Sequence, residues 1–184
     1  MKILETNRLL LRHLEPGDLD SLFDLYCDPE IRRYIPDAPQ TLAEVEEQLD
    51  WFLHGHPRHP ELGLWATIYK PTNQFIGRCG LLPWTIDGQA EVEVAYTIAQ
   101  SHWGQGLGTE AAQAILDYGF YTLGLTRLIC LIDEENGASI RVAEKIGMAF
   151  EKEGRDEIGP FWLYARSKPA LPEGDSHAHP NEFR

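Results

Sequence analysis

A single α/β domain of the α+β type, with helices on both faces of a mixed, mostly antiparallel sheet, is predicted by three features of this sequence. Residues 91–98 alternate, with Val92, Val94, Tyr96 and Ile98 on one side and Glu91, Glu93, Ala95 and Thr97 on the other, the period of a half-buried strand. A loop with glycine at every second position follows (Gly104, Gly106, Gly108), and the period then turns helical. Ala112, Ile115, Leu116, Gly119, Phe120 and Leu123 form one apolar stripe, with Gly124 placed to cap it. Short strands joined by turn residues precede this unit, and a continuous apolar run follows it. Hairpins leading into a strand–loop–helix–strand unit imply a mixed sheet covered on both faces.

In chain order, Leu9, Leu10 and Leu11 between two arginines predict a short first strand. Pro16, Gly17 and Asp18 open a helix with apolar positions Leu19, Leu22, Phe23 and Tyr26, which ends before Pro29. Residues 31–36 read as an aromatic-basic connector. Thr41 and Glu44 make a capping box, and Leu42, Val45, Leu49, Phe52 and Leu53 give the helix behind it a buried face. His54, His56 and His59 occupy a Pro-rich loop without the helical spacing or carboxylate that a metal site needs, so no metal is expected. Residues 63–69 and 75–81 predict two strands joined by a hairpin at Lys70-Pro71-Thr72-Asn73, and residues 83–88 a second turn. Residues 128–132 form a buried strand, and Ile140, Val142, Ala143 and Ile146 mark a short helix stopping at Gly147. Residues 148–151 and 161–165 suggest a last pair of strands. From Lys168 onward Pro, Gly, His, Asp and Asn dominate, so residues 1–167 are read as the domain and 168–184 as a mobile polar tail.

The 184 residues suit one domain with a substantial core. No apolar run is long enough to span a bilayer, and charges interrupt the first twenty residues, so a cytoplasmic protein without a signal peptide or membrane partner is expected. Cys27, Cys79 and Cys130 are odd in number and far apart, which predicts buried thiols in a reducing compartment. A formal net charge of −13 with no basic cluster argues against nucleic acid and for a cationic partner, such as an amine or a basic peptide.

A strand that feeds a glycine-rich loop into a helix start is a phosphate-binding device, because free amides and the helix dipole converge there. No Lys-Ser or Lys-Thr follows the glycines, which disfavours a nucleoside triphosphate, and Gly108 comes one residue early for a dinucleotide fingerprint.

The loop resembles the acyl-CoA pyrophosphate loop, Q/R-x-x-G-x-G/A, of the GNAT N-acetyltransferases. Three further segments are similar to the RimJ/RimL branch of that family: Thr6-Asn7-Arg8-Leu9-Leu10-Leu11-Arg12, Glu93-Val94-Ala95-Tyr96, and the run from Asn136 through Ser139, Arg141, Val142, Glu144 and Lys145 to Gly147. Together they span about residues 5–165, in order and at family spacing. The resemblance implies acetyl-CoA as donor and a primary amine as acceptor, often the N-terminal α-amine of a protein, in a monomer or homodimer. It implies a cofactor site of Tyr96, Thr97 and Ile98 at the strand end, Trp103, Gly104, Gln105, Gly106, Leu107, Gly108 and Thr109 in the loop and helix start, and Asn136 and Ser139 beyond. Two positions depart from the family. Met148 replaces the usual Phe, and Ala143 replaces the tyrosine that in many GNAT enzymes protonates the leaving thiolate.

Direct attack of an amine on a thioester needs a neutral amine, a polarised carbonyl and relief of charge on sulfur. Glu93 is the candidate base, working through a water, or an anchor for a cationic acceptor; Glu91 on the same face is the fallback. Ser139 is the candidate hydrogen-bond donor to sulfur, or a first-turn serine with no such role. Asn136 suits a helix N-cap, a cofactor contact, or both. Trp103 is expected to pack the loop against the core, and His102 to be solvated. The acceptor remains open between a peptide α-amine and a small polyamine or aminoglycoside. A non-catalytic acyl-CoA sensor on the same fold is the alternative outside enzymes.

Overall fold

In the computed structural model the described residues are 1–54, 59–156 and 158–170. Strands β1 (Lys2–Glu5), β2 (Leu9–Arg12), β3 (Gly63–Tyr69), β4 (Gln74–Ile86), β5 (Gln89–Ile98), β6 (Arg127–Ile132), β7 (Ala149–Arg155) and β8 (Pro160–Ser167) build one sheet. Its order is β1-β2-β3-β4-β5-β6-β8-β7, and every neighbouring pair is antiparallel except β5 and β6. Helices α1 (Leu19–Cys27), α2 (Pro29–Arg32) and α3 (Leu42–His54) precede the long hairpin, and α4 (Leu107–Asp117) and α5 (Gly137–Lys145) follow β5 and β6.

The alternation along β5 decides which helices lie where. Val94 and Ile98 enter a core with Leu107, Ala111, Ile115 and Leu116 of α4, while Tyr96 reaches α5. Arg78 of β4, opposite Thr97, turns to the other face, where its guanidinium lies over Tyr26 of α1. Helices therefore cover both faces, as expected. The cores beneath α1 and α3 centre on Leu22, Tyr26 and Val45 and on Leu49, Ala66 and Ile68.

Several elements differ from expectation for identifiable reasons. β1, too short and too exposed to leave a period, was not expected. α2 starts inside what reads as a connector, because the Asp28 carboxylate accepts the Glu30 amide at 2.9 Å and Pro29 fits the first turn. The capping box of α3 forms, with Thr41 and Glu44 exchanging hydrogen bonds. Leu42 (43 %) and Leu53 (41 %), however, stay exposed in its first and last turns, and Val45 and Leu49 carry the burial.

The turn expected over residues 83–88 is only Asp87 and Gly88, both at positive φ, with Ile86 paired to Gln89. Pro83 sits inside β4 without cost because β3 pairs no further than Leu81, so past that point β4 is an edge on the side where Pro lacks its donor. After α4 the helix continues into a π-helical turn, Tyr118–Thr122, closed by the Leu123 amide on the Tyr118 carbonyl at 3.0 Å.

Cys79 and Cys130 are buried, but Cys27 is exposed. Lys168 is still tied down, its amide on the Thr126 carbonyl and its ammonium over the Tyr121 ring. Residues 171–184, the bulk of the expected tail, and His56 in the His-rich loop lie outside the described residues.

One buried ion pair holds β2 to α1. Asp18 is buried and accepts both Arg12 nitrogens, at 2.7 and 2.8 Å, and the Glu15 amide at 2.9 Å. Asp18→Ala takes both carboxylate bonds from the half-buried Arg12 guanidinium, leaving it Glu15 and the His13 carbonyl, and should cost about 3 kcal/mol in urea denaturation; a loss under 1 kcal/mol would show that water and Glu15 replace the carboxylate.

Candidate active site

The site begins where the sheet parts. β4 and β5 pair along their whole length, from Gly77 with Ile98 to Ile86 with Gln89, and β6 pairs with β8 from Arg127 to Ile132. Between them, β5 and β6 share the single parallel pair Glu93 and Ile129. Beyond it the strands diverge, and a cavity of 770 Å³ passes through the gap. Its lining joins residues from both faces: Tyr96, Asn136 and Ser139 from the α4–α5 side, and Arg78, Glu93, Tyr34 and Asp37 from the α1–α2 side.

At one end stands the glycine loop. Gly104 (φ 73°) and Gly106 (φ 75°) are left-handed, a conformation that glycine adopts without strain. Gly106 is the N-cap of α4 and brings no side-chain cap, so the first-turn amides remain available to an anion. Gly108 is already inside the helix. Arg141 and Lys145 of α5 line the same cavity and add positive charge.

The loop is fixed from the far end of the chain. Glu110 accepts the Thr6 hydroxyl at 2.5 Å, the Arg8 amide at 2.9 Å and Arg8 Nε at 2.7 Å, while Arg8 Nη1 donates to the Gln105 carbonyl at 2.9 Å. Burial pushes the Glu110 carboxyl up, but these donors outweigh it and hold it below its ordinary value.

Glu93 lies at the parting itself. Trp84 Nε1 donates to Glu93 Oε2 at 2.6 Å. Burial nevertheless dominates, and the carboxyl is pushed up to about 7 against the opposing Trp84 and Leu131 donors and the Arg78 charge. Such a group changes charge at neutral pH, as a general base requires. Glu91, the fallback, is excluded by its partners. Both its oxygens accept Arg127 Nε at 3.1 Å, Arg127 also binds Glu151, and Glu91 is not among the cavity residues.

Asn136 is the N-cap of α5, its Oδ1 accepting the Ser139 amide at 3.1 Å, and it lines the cavity as well. Tyr96 donates its hydroxyl to the Ser139 carbonyl at 2.9 Å, and burial pushes its phenol well up, so it is a neutral, committed donor. Ser139 Oγ makes no hydrogen bond among the described residues, which leaves it the free hydroxyl on this wall. Ala143, where the family's tyrosine often stands, is fully buried. Cys130 also lines the cavity, but burial pushes its thiol well up and its Sγ donates to the Val94 carbonyl, so it is a closed, unreactive thiol.

Of the residues expected at the site, Glu93, Tyr96, Thr97, Ile98, Trp103, Gly104, Gly106, Leu107, Gly108, Thr109, Asn136 and Ser139 all line this one cavity. Gln105 does not; its carbonyl is turned to Arg8 instead. Trp103 is 44 % exposed and holds the loop by donating its indole N–H to the Ile98 carbonyl at 2.6 Å, not by packing into the core. His102 also borders the cavity, edge-on to Tyr69. No cluster of potential metal ligands occurs among the described residues.

A family profile described as "Acetyltransferase (GNAT) domain" matches residues 8–149. The chain belongs to the GNAT acetyltransferase family. It is 39 % identical over 167 residues to the uncharacterized protein YkkB of Bacillus subtilis (strain 168), covering 89 % of this chain and 94 % of that one. The spermidine N(1)-acetyltransferase of Escherichia coli (strain K12) is 27 % identical over 145 residues, 78 % of this chain and 74 % of that protein. Among solved structures, a GNAT-family acetyltransferase from Bacillus anthracis superimposes with a TM-score of 0.75 at 25 % identity, covering 91 % and 98 % of the two chains. The protein is thus an acetyl-CoA-dependent acyltransferase, and a sensor without chemistry is set aside. The loop amides, the left-handed glycines and the basic side chains of α5 fit the phosphates of coenzyme A, and the parting of β5 and β6 fits its narrow arm.

The half-buried Glu93 carboxyl ties stability to pH. The native protein keeps the Glu93 proton to about pH 7, whereas an unperturbed glutamate releases it near 4.5. Glu93 therefore weakens the fold progressively as pH rises from 4.5 to 7, by about 3 kcal/mol in full. Glu93→Gln should raise the melting temperature at pH 8 and leave it nearly unchanged at pH 4.5. Equal shifts at both pH values would contradict a raised carboxyl.

Proposed function

We propose that this GNAT enzyme acetylates the N-terminal α-amine of a protein or peptide in the cytoplasm, in the manner of the RimJ/RimL branch. The observation that carries this reading is a carboxyl poised at about 7 at the parting of β5 and β6, in the same cavity as the glycine loop. At pH 7 an α-amine with pKa near 8 is roughly 10 % neutral, whereas an alkylamine near 10.4 is about 0.04 % neutral. A base of this strength is well matched to the first and weak for the second.

Acetyl-CoA supplies the acetyl group as a thioester. Trp84 and the Leu131 amide orient the Glu93 carboxylate, which takes up the proton leaving the attacking amine, directly or through a water. Ser139 Oγ, near the amino end of α5, donates toward the departing sulfur, where the helix dipole also favours negative charge. The Thr6–Arg8–Glu110 clamp keeps the loop amides in register with that chemistry, which gives the T-x-R-L-x-L-R opening a physical task.

A second reading is favoured by the carboxylates Glu30, Asp37, Asp133 and Asp156 among the residues that line the cavity. They suit a polycation, either a polyamine or an aminoglycoside, and the spermidine enzyme is a relative at 27 % identity.

Acetyl transfer measured side by side on N-terminal peptides, polyamines and aminoglycosides separates the two; peptides should show the highest kcat/KM, and a clear preference for spermidine would overturn the α-amine reading. On the preferred acceptor, Glu93→Gln should lower kcat roughly 10²–10⁴-fold, the loss shrinking at high pH as the amine deprotonates unaided. A rise confined to KM would make Glu93 an anchor. Ser139→Ala should cost about 10- to 100-fold in kcat, since a thiol of pKa about 8.5 is already a fair leaving group. Wild-type thiol release by that variant would show water protonating the sulfur.

A further inference from the structure

Arg78 lines the cavity, and the transfer reaction leaves its chemistry unused. It rises from β4 opposite Thr97, on the face that carries Glu93, and its guanidinium sits over the Tyr26 ring at 5.1 Å from the centroid. Its Nε is buried and has no hydrogen-bond partner. Among the described residues the Arg78 side chain makes no hydrogen bond and no ion pair, although a guanidinium carries five donors and stays charged at any working pH. Tyr26 gives it a π face but accepts none of its protons; the Tyr26 hydroxyl donates to Gln48.

An underused cation in the same cavity as Glu93, near enough for its charge to act on that carboxyl, is unfavourable for a bare alkylammonium, which it repels. It is favourable for an acceptor that brings an oxygen with its amine. In an α-amine that oxygen is the carbonyl of the first residue, one carbon from the carbon that bears nitrogen. A polyamine has none.

We propose that Arg78 is the residue that selects the acceptor, its guanidinium taking the first carbonyl oxygen of a peptide whose α-amine is directed at Glu93. The same charge lowers the pKa of the ammonium it faces and so raises the neutral fraction that attacks. Arg78 thereby separates aminoacyl acceptors from polyamines, in a cavity whose carboxylates would accept both. This rests on the α-amine reading above.

The test uses the full-length enzyme with acetyl-CoA, following thiol release from alanyl-alanine amide, from sec-butylamine (which keeps the branched amine and lacks the carbonyl) and from spermidine. Arg78→Met should lower the ratio of kcat/KM for the dipeptide to that for sec-butylamine by about 10- to 100-fold, through KM of the dipeptide, the size of a lost charge-assisted hydrogen bond. Arg78→Lys keeps the charge but loses the fork and should recover part of that ratio. Arg78→Met also loses the Tyr26 ring contact and the charge that favours the Glu93 carboxylate, so its melting temperature is measured beside that of Arg78→Lys, and the ratio of acceptors, which a general loss of stability does not move, is the readout. An unchanged ratio, with both acceptors weakened equally, would make Arg78 structural and overturn the inference while leaving the α-amine reading intact. A wild type that prefers spermidine to the dipeptide would overturn both.

Discussion

Between β5 and β6 the sheet is held by one parallel residue pair, and the site depends on that economy. On either side antiparallel pairing is continuous, β4 with β5 and β6 with β8, so the gap falls at this one boundary. The cleft crosses the sheet and is lined from both its α4–α5 and its α1–α2 face. Glu93 belongs to the single pair that closes the cleft. Its neighbours are therefore backbone and apolar walls more than water, which raises its carboxyl.

That placement has a cost in the fold, because a carboxylate in such surroundings opposes folding at the neutral pH at which the proposed base works. Trp84 offsets part of the cost with its indole N–H, and Arg78 with its charge. Each also fixes geometry: Trp84 holds one oxygen of the base, and Arg78 sets a charge beside it. On the proposed mechanism, catalysis and acceptor choice both follow from how one half-buried acid is solvated by the protein. The glycine loop, by contrast, is held by a surface clamp more than 100 residues away in sequence, where Thr6 and Arg8 meet Glu110.

Local signals were legible in the sequence, and pairings across the sheet were not. The bounds of β3, the Thr41 capping box, the Asn136 cap and the glycine loop all rest on residues within a few positions of each other, so spacing alone exposes them. The two carboxylates at 91 and 93 show the limit. Alternation puts both on one face, but only the fold shows Arg127 neutralising Glu91 while Glu93 faces the cavity. Trp84 was hidden because Pro83 reads as a turn until the edge position of β4 is known. Arg78 leaves no pattern at all; its role is visible only as donors without acceptors. The exposed ends of α3 arise because a helical stripe states which face is apolar and not how far the sheet beneath it extends.

The central claim is that the protein, and not the acceptor, sets the ionisation of Glu93 near neutrality. A carbon-13 NMR titration of the glutamate carboxyls, with the Glu93 signal identified by its loss in Glu93→Gln, measures this without any assumption about substrate. A midpoint at about 7 is predicted, and a midpoint near the ordinary 4.5 would contradict the account.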